Sequence, residues 1–150
     1  MRFYKWTADN KPLCGTGTYN FNEWQRITNP LIMCKQGFHA CTAEQLPLWC
    51  GTELWEVKLG EQLIINENMA CSDGLHFITQ LIWDTKDMAA YVEWCDSKSK
   101  LPAIHYSSDA AIKYAAAAAW LSARCARLHG DIKLEEQREW IENRIGEQLS

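Results

Sequence analysis

The sequence has no run of apolar residues that approaches the roughly 18 a membrane-spanning helix needs. Its Ala-rich stretch, residues 115–119, lies between Asp109 and Arg124, and charges this close exclude a membrane span. The first residues, Met1–Thr7, lack the apolar core and the cleavage site of a signal peptide. We therefore expect a soluble protein of the cytoplasm without membrane contact.

Glycine and proline are also scarce, with 8 and 4 residues, whereas 47% of the residues are apolar. This composition excludes collagen-like, linker-like and extensively disordered chains. A chain of 150 residues can bury a core that needs neither a metal nor a disulfide to fold. Typical domain sizes predict a single domain.

Clusters of basic residues are missing as well. The chain carries 15 lysines and arginines against 19 aspartates and glutamates, a net charge of −4. A nucleic-acid site needs clustered cations to displace counterions, so we predict no direct nucleic-acid binding. Nucleotide-binding motifs are absent too, because Gly15-Thr16-Gly17 is too short for a phosphate-binding loop. The sequence also contains no Gly-x-Ser-x-Gly motif of the kind found in hydrolases.

What the sequence does contain is unusual for its eight tryptophans and seven cysteines. The tryptophans are spread along the whole chain, which indicates core packing more than a binding platform. Without an export signal the cysteines are expected to stay reduced, and most of them to act as small buried hydrophobes.

Hydrophobic periodicity divides the chain into a strand-rich part, residues 1–84, and a helical part, residues 85–150. Strands followed by helices predict an α+β fold, with a mostly antiparallel sheet packed against about three helices. The expected strands are Arg2–Thr7, Glu23–Thr28, Glu53–Leu59, Gln62–Ile65 and Leu75–Trp83. The last is apolar on both faces, which predicts a central strand.

Two local signals lie between the second and third of these strands. Leu31–Cys34 and Phe38–Cys41 are expected to pair as a hairpin around a three-residue loop that ends at Gly37, a position that favours positive φ. Thr42 and Gln45 have the spacing of a capping box for a short helix over 43–49.

Three helices are expected in the second half. Thr85 is the predicted cap of a helix over 86–97, Ser108 that of a long helix that ends at Gly130, and Asp131 the start of the last. The predicted core stripe of the long helix is Ala111, Tyr114, Ala118, Leu121, Cys125 and Leu128. That of the last helix is Leu134, Arg138, Ile141, Ile145 and Leu149. Alanines beside the long stripe would let another element, or a second copy, approach closely.

The densest set of reactive side chains is Cys34, His39, Cys41 and Cys50. Three sulfurs and an imidazole are a sound tetrahedral zinc set. Their spacing lacks the Cys-x2-Cys pairs of common zinc sites, and the favoured hairpin register places Cys34 and His39 on opposite faces. Zinc is therefore retained as an alternative. The main expectation is that the thiols are buried and that the protein holds no cofactor.

A nucleophilic site is the second possibility for this segment. His39 and Cys41 lie two residues apart on one strand face, but a Cys–His pair also needs a third group that orients the imidazole. Glu44 or Glu53 could supply that group, but nothing in the spacing requires it. In a small-ligand site built around Gly37–Cys41, Trp49 or Trp55 would provide a stacking wall.

The segment Cys34-Lys-Gln-Gly-Phe-His-Ala-Cys41, with Leu46-Pro-Leu-Trp49 and Glu53-Leu-Trp-Glu-Val57 after it, resembles an uncharacterised family of short bacterial and phage proteins. Members begin with a similar Phe-Tyr-Lys-Trp strand, matched here by Phe3–Trp6. The resemblance covers about residues 1–60 and departs from the family at Cys50, where an apolar residue is expected. It implies a phage or mobile-element context, in which small accessory proteins often act on host machinery.

These observations favour a non-enzymatic module that binds a host or phage protein, as a monomer or a homodimer. The alternatives are an enzyme or small-ligand protein with its site at Gly37–Cys41, in which His39 and Cys41 carry the chemistry, and a structural zinc protein.

Overall fold

The computed structural model describes residues 1–13, 18–33, 35–99, 115–130 and 132–146. Strands precede helices along the chain, so the predicted α+β arrangement is confirmed. In these ranges no helix is long and apolar enough to cross a membrane.

The described residues form two antiparallel sheets. The five-stranded sheet has the order β2-β1-β5-β8-β3 and contains β1 (Phe3–Ala8), β2 (Lys11–Pro12), β3 (Gln25–Arg26), β5 (Glu53–Leu59) and β8 (Gly74–Gln80). The three-stranded sheet has the order β4-β7-β6 and contains β4 (Phe38–Ala40), β6 (Leu63–Ile65) and β7 (Ala70–Ser72).

Side chains alternate across β1 and give the large sheet two apolar faces. Trp6 pairs with Leu54 on one face, and Phe3 pairs with Val57 on the other. The first face belongs to the helix-side core, whose buried members include Tyr4, Trp6, Leu46, Leu54, Leu81, Trp83, Met88, Tyr91, Cys95, Ala119, Ala123, Ala126, Ile141 and Ile145. The second belongs to the outer core, formed by Phe3, Ala40, Val57, Ala70, Leu75 and Phe77 with Tyr19, Phe21, Phe38, Trp55 and Leu59 packed against them.

The predicted hairpin between residues 31–34 and 38–41 is wrong. Ile32 instead bridges to Gln36 in a tight turn, and β4 pairs with β7. Gly37 has the expected positive φ, +135°. That conformation redirects the chain after the turn. Pairing with β7 then buries Ala40, whereas the predicted hairpin would have placed Ala40 beside the exposed Ile32.

The prediction that the strand over Leu75–Trp83 is a central one is confirmed for β8, which has a neighbour on each side, although not all of its apolar residues are buried. It lies between β5 and β3, but Ile78 and Ile82 are 45% and 77% exposed. The reason is that β3 has only two residues and pairs with Leu75 and Gly74 alone, so the rest of β8 has one open edge among the described strands.

The helical elements are a 3-10 helix (Ala43–Leu48), α1 (Thr85–Lys98), α2 (Ala115–His129) and α3 (Leu134–Ile145). Gln45 accepts a hydrogen bond from the Thr42 backbone at 3.1 Å, as a capping box requires. The cap of α1 is Asp84, not Thr85, because the Asp84 carboxylate accepts from the backbone N–H groups of Lys86 and Asp87. The predicted starts at Ser108 and Asp131, and Leu149, lie outside the described residues.

The inward face of α2 differs from the prediction. Ala119, Ser122, Ala123 and Ala126 are buried, whereas Leu128 is 64% exposed. Small side chains let the backbone of α2 come close to α1, and that close approach determines which face is buried. Leu121 and Cys125 are half-buried, and the side chains of Ala111, Tyr114 and Ala118 are not described.

The inward face of α3 is confirmed at Ile141 and Ile145, with one addition. Gln137 is completely buried on the same face. Its amide donates to the Ala123 carbonyl at 3.0 Å and accepts from Arg127 at 2.6 Å. These bonds compensate the cost of burying an amide, and the predicted stripe of α3 did not include this residue.

Candidate functional site

The segment Gly37–Cys41 connects the two sheets. Through β4 it pairs with β7, and at Cys41 its backbone exchanges two 2.8 Å hydrogen bonds with Tyr4 of β1. A Cβ at position 37 would lie 2.5 Å from Leu31 Cδ1 and 2.7 Å from Cys71 Sγ. Both this crowding and the positive φ require glycine, so the turn that leads into the segment is sterically fixed.

A cavity of about 710 Å3 lies beside this segment and is lined by residues of both cores; we call it the cleft. Among the described residues, those that line it include Lys5, Tyr19, Lys35, Phe38, His39 and Trp49. The lining of the cleft therefore combines aromatic rings with two lysine ammonium groups and one histidine imidazole.

Lys5 projects from β1 on the face of Phe3 and is only 9% exposed. Its ammonium donates to the His39 carbonyl and lies 5.5 Å from the centre of the Tyr19 ring. A carbonyl oxygen and a ring face both stabilise a cation that burial would otherwise disfavour. The result is a positive charge held in place at the wall of the cleft.

Burial and, next, the positive charge of Lys5 lower the pKa of His39 below its usual 6.5. At neutral pH the imidazole is therefore uncharged and has one donor and one acceptor nitrogen. Burial raises the pKa of Tyr19 to about 12, so its hydroxyl stays protonated. Both groups offer hydrogen bonds without a negative charge.

His39 and Cys41 both line the cleft, but the thiol is placed for packing. Cys41 is buried, and its Sγ donates to the Tyr4 carbonyl at 3.4 Å. Burial raises the pKa of Cys41 to about 12 and also raises the pKa of Cys50. Because the thiolate is the reactive form, this environment works against a nucleophilic role for Cys41.

Three of the four predicted zinc ligands, His39, Cys41 and Cys50, are among the described residues, and Cys34 lies outside them. In the described part of the chain, no three His, Cys, Asp or Glu side chains are grouped so that they could hold a metal ion. Cys50 belongs to the helix-side core and is not among the cleft-lining residues. The zinc hypothesis is a prediction that these positions leave untested.

The two tryptophans predicted as a stacking wall are separated. Trp49 is half-buried and lines the cleft, with its indole N–H donating to the Asn68 carbonyl at 2.7 Å. Trp55 packs in the outer core, where its ring stacks on Phe21 at 4.7 Å. Only Trp49 is therefore available to a ligand in the cleft.

Sequence reasoning missed Lys5 and Tyr19 as members of the site. A signal for Lys5 was present, because it is the one charged residue inside the strand Phe3-Tyr-Lys-Trp6 and so falls on an apolar face. Tyr19 had no such signal, since it comes from a loop whose path only the fold determines.

A second surface lies on α2 and carries the large side chains that the helix does not bury. The α2 surface consists of Trp120, Arg124, Arg127 and Leu128 beside Leu48 and Trp49, around a concavity of about 350 Å3. The Arg124 guanidinium lies 5.2 Å from the Trp120 ring centre. The described residues that line this concavity include two arginines and no carboxylate.

Comparison with protein-family models, with curated proteins and with solved structures gives no match to this chain. The resemblance of residues 1–60 to short bacterial and phage proteins therefore stays a prediction, and the cleft and the α2 surface are the structural features that bear on function.

Proposed function

We propose that the protein is a non-enzymatic binding module that engages another protein through the α2 surface. One observation carries this proposal: α2 buries Ala119, Ala123 and Ala126 and leaves Trp120 and Leu128 at 38% and 64% exposure. Tryptophan and arginine are the residues most enriched at the energetic centres of protein interfaces. Covering apolar area contributes about 25 cal/mol per Å2, so a partner that buries these side chains gains free energy.

The charge of the surface indicates the kind of partner. Arg124 and Arg127 flank the apolar side chains, and the described lining contains no acidic group. A partner with an apolar patch and nearby carboxylates complements this surface in both respects. A second copy of the chain would bring arginine against arginine, and we therefore place a different protein there.

The biological setting is part of the same proposal. The resemblance of residues 1–60 to phage and bacterial accessory proteins supports a role in the cytoplasm, on a host or phage protein. The protonated, buried thiol of Cys41 supports binding over covalent catalysis at the neighbouring segment.

The test is affinity purification from the cells that naturally express the protein, with paired variants. Leu128→Asp places a charge at the centre of the α2 surface, and Ile82→Asp makes the same change at an exposed apolar residue outside it. We expect wild type and Ile82→Asp to retain one stoichiometric partner, and Leu128→Asp to lose at least nine-tenths of it. Equal recovery with Leu128→Asp, or no stoichiometric partner with wild type, would overturn the proposal.

Native mass spectrometry of the purified protein completes this test. We expect a monomer at micromolar concentration. A dimer that Leu128→Asp abolishes would show that the α2 surface joins two copies, which contradicts binding of a different protein there.

A further inference from the structure

We propose that the cleft is a binding site for a small organic anion, with a carboxylate or phosphate group attached to an aromatic body. This goes beyond the proposed protein binding and does not depend on it, because the cleft and the concavity of the α2 surface share Trp49 and Met69 but use different charged residues. Its volume of about 710 Å3 lies within the range of known small-molecule sites.

The charge of the ligand follows from the polar groups of the cleft. Lys5 and Lys35 contribute ammonium groups, and His39 and Tyr19 contribute neutral hydrogen-bonding groups. No aspartate or glutamate is among its described lining residues. A ligand cation would find no opposite charge in this lining, whereas an anion would find two.

The position of Lys5 strengthens this argument. A lysine only 9% exposed is surrounded by little water, and the attraction between its ammonium and a ligand anion is therefore stronger than it would be at an exposed site. Hydrogen bonding to the His39 carbonyl and the contact with the Tyr19 ring fix its direction. The cation is thus positioned before a ligand arrives, which reduces the ordering cost of binding.

The body of the ligand follows from the apolar walls. Phe38, Trp49, Leu13 and Met69 line the same cavity as the cations. Aromatic and thioether side chains pack well against planar rings. Sites that bind small molecules commonly combine such walls with a few polar groups that fix orientation.

The test uses one aromatic body with different charges. Isothermal titration of the full-length protein with 1-naphthyl phosphate, 1-naphthoate, 1-naphthol and 1-naphthylmethylamine measures each affinity. We expect one saturable site for at least one of the two anions, with at least tenfold weaker binding of the alcohol and of the amine. The ratio of the two anions identifies phosphate or carboxylate as the preferred group. Equal affinity for the amine, or no binding of either anion, would overturn the proposal.

Paired variants assign that binding to the cleft. Lys5→Met preserves the length of the side chain and removes its charge, and we expect at least a tenfold loss of anion affinity. Lys58→Met, the same change at an exposed lysine of β5, is expected to leave the affinity unchanged. Arg124→Met tests the α2 surface, and a loss there with none at Lys5 would contradict the cleft.

A further variant covers the case in which Lys5→Met fails to fold. Lys35 is an exposed residue that lines the cleft, so Lys35→Met should retain the thermal stability of the wild type. We expect it to weaken anion binding about threefold. Unchanged anion affinity in Lys35→Met would then count as the overturning result.

Discussion

The two faces of the large sheet are covered in different ways. On the helix side, Trp6, Trp83, Tyr91 and Trp140 form a chain of ring contacts, with centre distances of 5.2 Å for Trp6–Trp83 and 5.3 Å for Tyr91–Trp140. On the outer side, an aromatic group around Phe77 is covered by a loop and by a sheet of three-residue strands. Helices pack against the first face, whereas the described residues that pack on the second come from strands and loops, and the cleft is lined by residues of both cores.

This difference separates stability from function within one small chain. Aromatic rings that interlock on the helix side bury large areas and leave little room for a ligand. Short strands and loops cover a sheet less evenly and place polar groups such as Lys5 and His39 beside a cavity. The comparison predicts that substitutions on the helix side mainly reduce stability, and that substitutions at the cleft mainly reduce binding.

The largest effect is expected for Trp83→Ala. The ring is buried and its indole N–H donates to the Gly51 carbonyl at 3.1 Å. Its removal should lower the free energy of unfolding by about 4 kcal/mol, the range typical of buried aromatic truncations. Trp55→Ala on the half-buried outer side should cost about 2 kcal/mol. Urea unfolding measures both, and an equal cost would remove the proposed difference between the faces.

A smaller effect is expected for Gly37→Ala, which strains the entry to the cleft segment. The added Cβ would meet Leu31 and Cys71 side-chain atoms at a φ of +135°, so we expect a loss of about 3 kcal/mol. Gly146→Ala is the matched control, because its φ is +73° but no atom lies within 4 Å. Its backbone strain alone should cost about 2 kcal/mol, because its ψ of −141° lies outside the left-handed helical region. Equal losses in thermal unfolding would assign the effect to backbone conformation alone.

Gln137→Ala should cost about 2 kcal/mol, because it removes the hydrogen bonds to Ala123 and Cys95 and leaves the half-buried Arg127 guanidinium without its amide partner. Glu139→Ala, at an exposed position on the same helix, should change stability by less than about 0.5 kcal/mol. Chemical denaturation distinguishes them. A cost for Gln137→Ala no larger than for Glu139→Ala would show that the buried amide contributes nothing.

The smallest effect is the pH dependence that His39 contributes on the cleft side. Its pKa in the folded protein lies below 6.5, so the unfolded chain binds the proton more tightly. Stability should therefore fall as the pH decreases below about 6.5, and the decrease should end once the pH is below the folded pKa. His39→Gln should flatten this part of the profile, measured by urea unfolding between pH 7 and 5. An unchanged slope in His39→Gln would contradict the assignment.

Sequence periodicity predicted the parts of the fold that depend on local patterns. The strand over Arg2–Thr7, the helix over 86–97 and the inward positions Ile141 and Ile145 agree with the structure. The wrong predictions depend on long-range pairing. β4 pairs with a strand about 30 residues away, and nothing in the sequence around Gly37 distinguishes that partner from the nearby residues 31–34.

The buried face of α2 was predicted incorrectly for a different reason. Ranking by side-chain size favours Leu121 and Leu128, whereas close helix packing buries Ala123 and Ala126. The candidate site was predicted only in part: Gly37–Cys41 and Trp49 line the cleft, but Lys5 reaches it from a strand far away in sequence. Such groupings arise from the tertiary fold and have no local spacing signal.

Fluorine NMR of the protein labelled with 5-fluorotryptophan tests the contrast between the two sides most directly. With each signal assigned by a Trp→Phe variant, 1-naphthyl phosphate is added until binding is saturated. We expect the Trp49 signal to shift with a single binding curve, while the Trp140 signal of the helix side and the Trp120 signal of the α2 surface stay unchanged. A shift of Trp120 or Trp140 with Trp49 unchanged would contradict it.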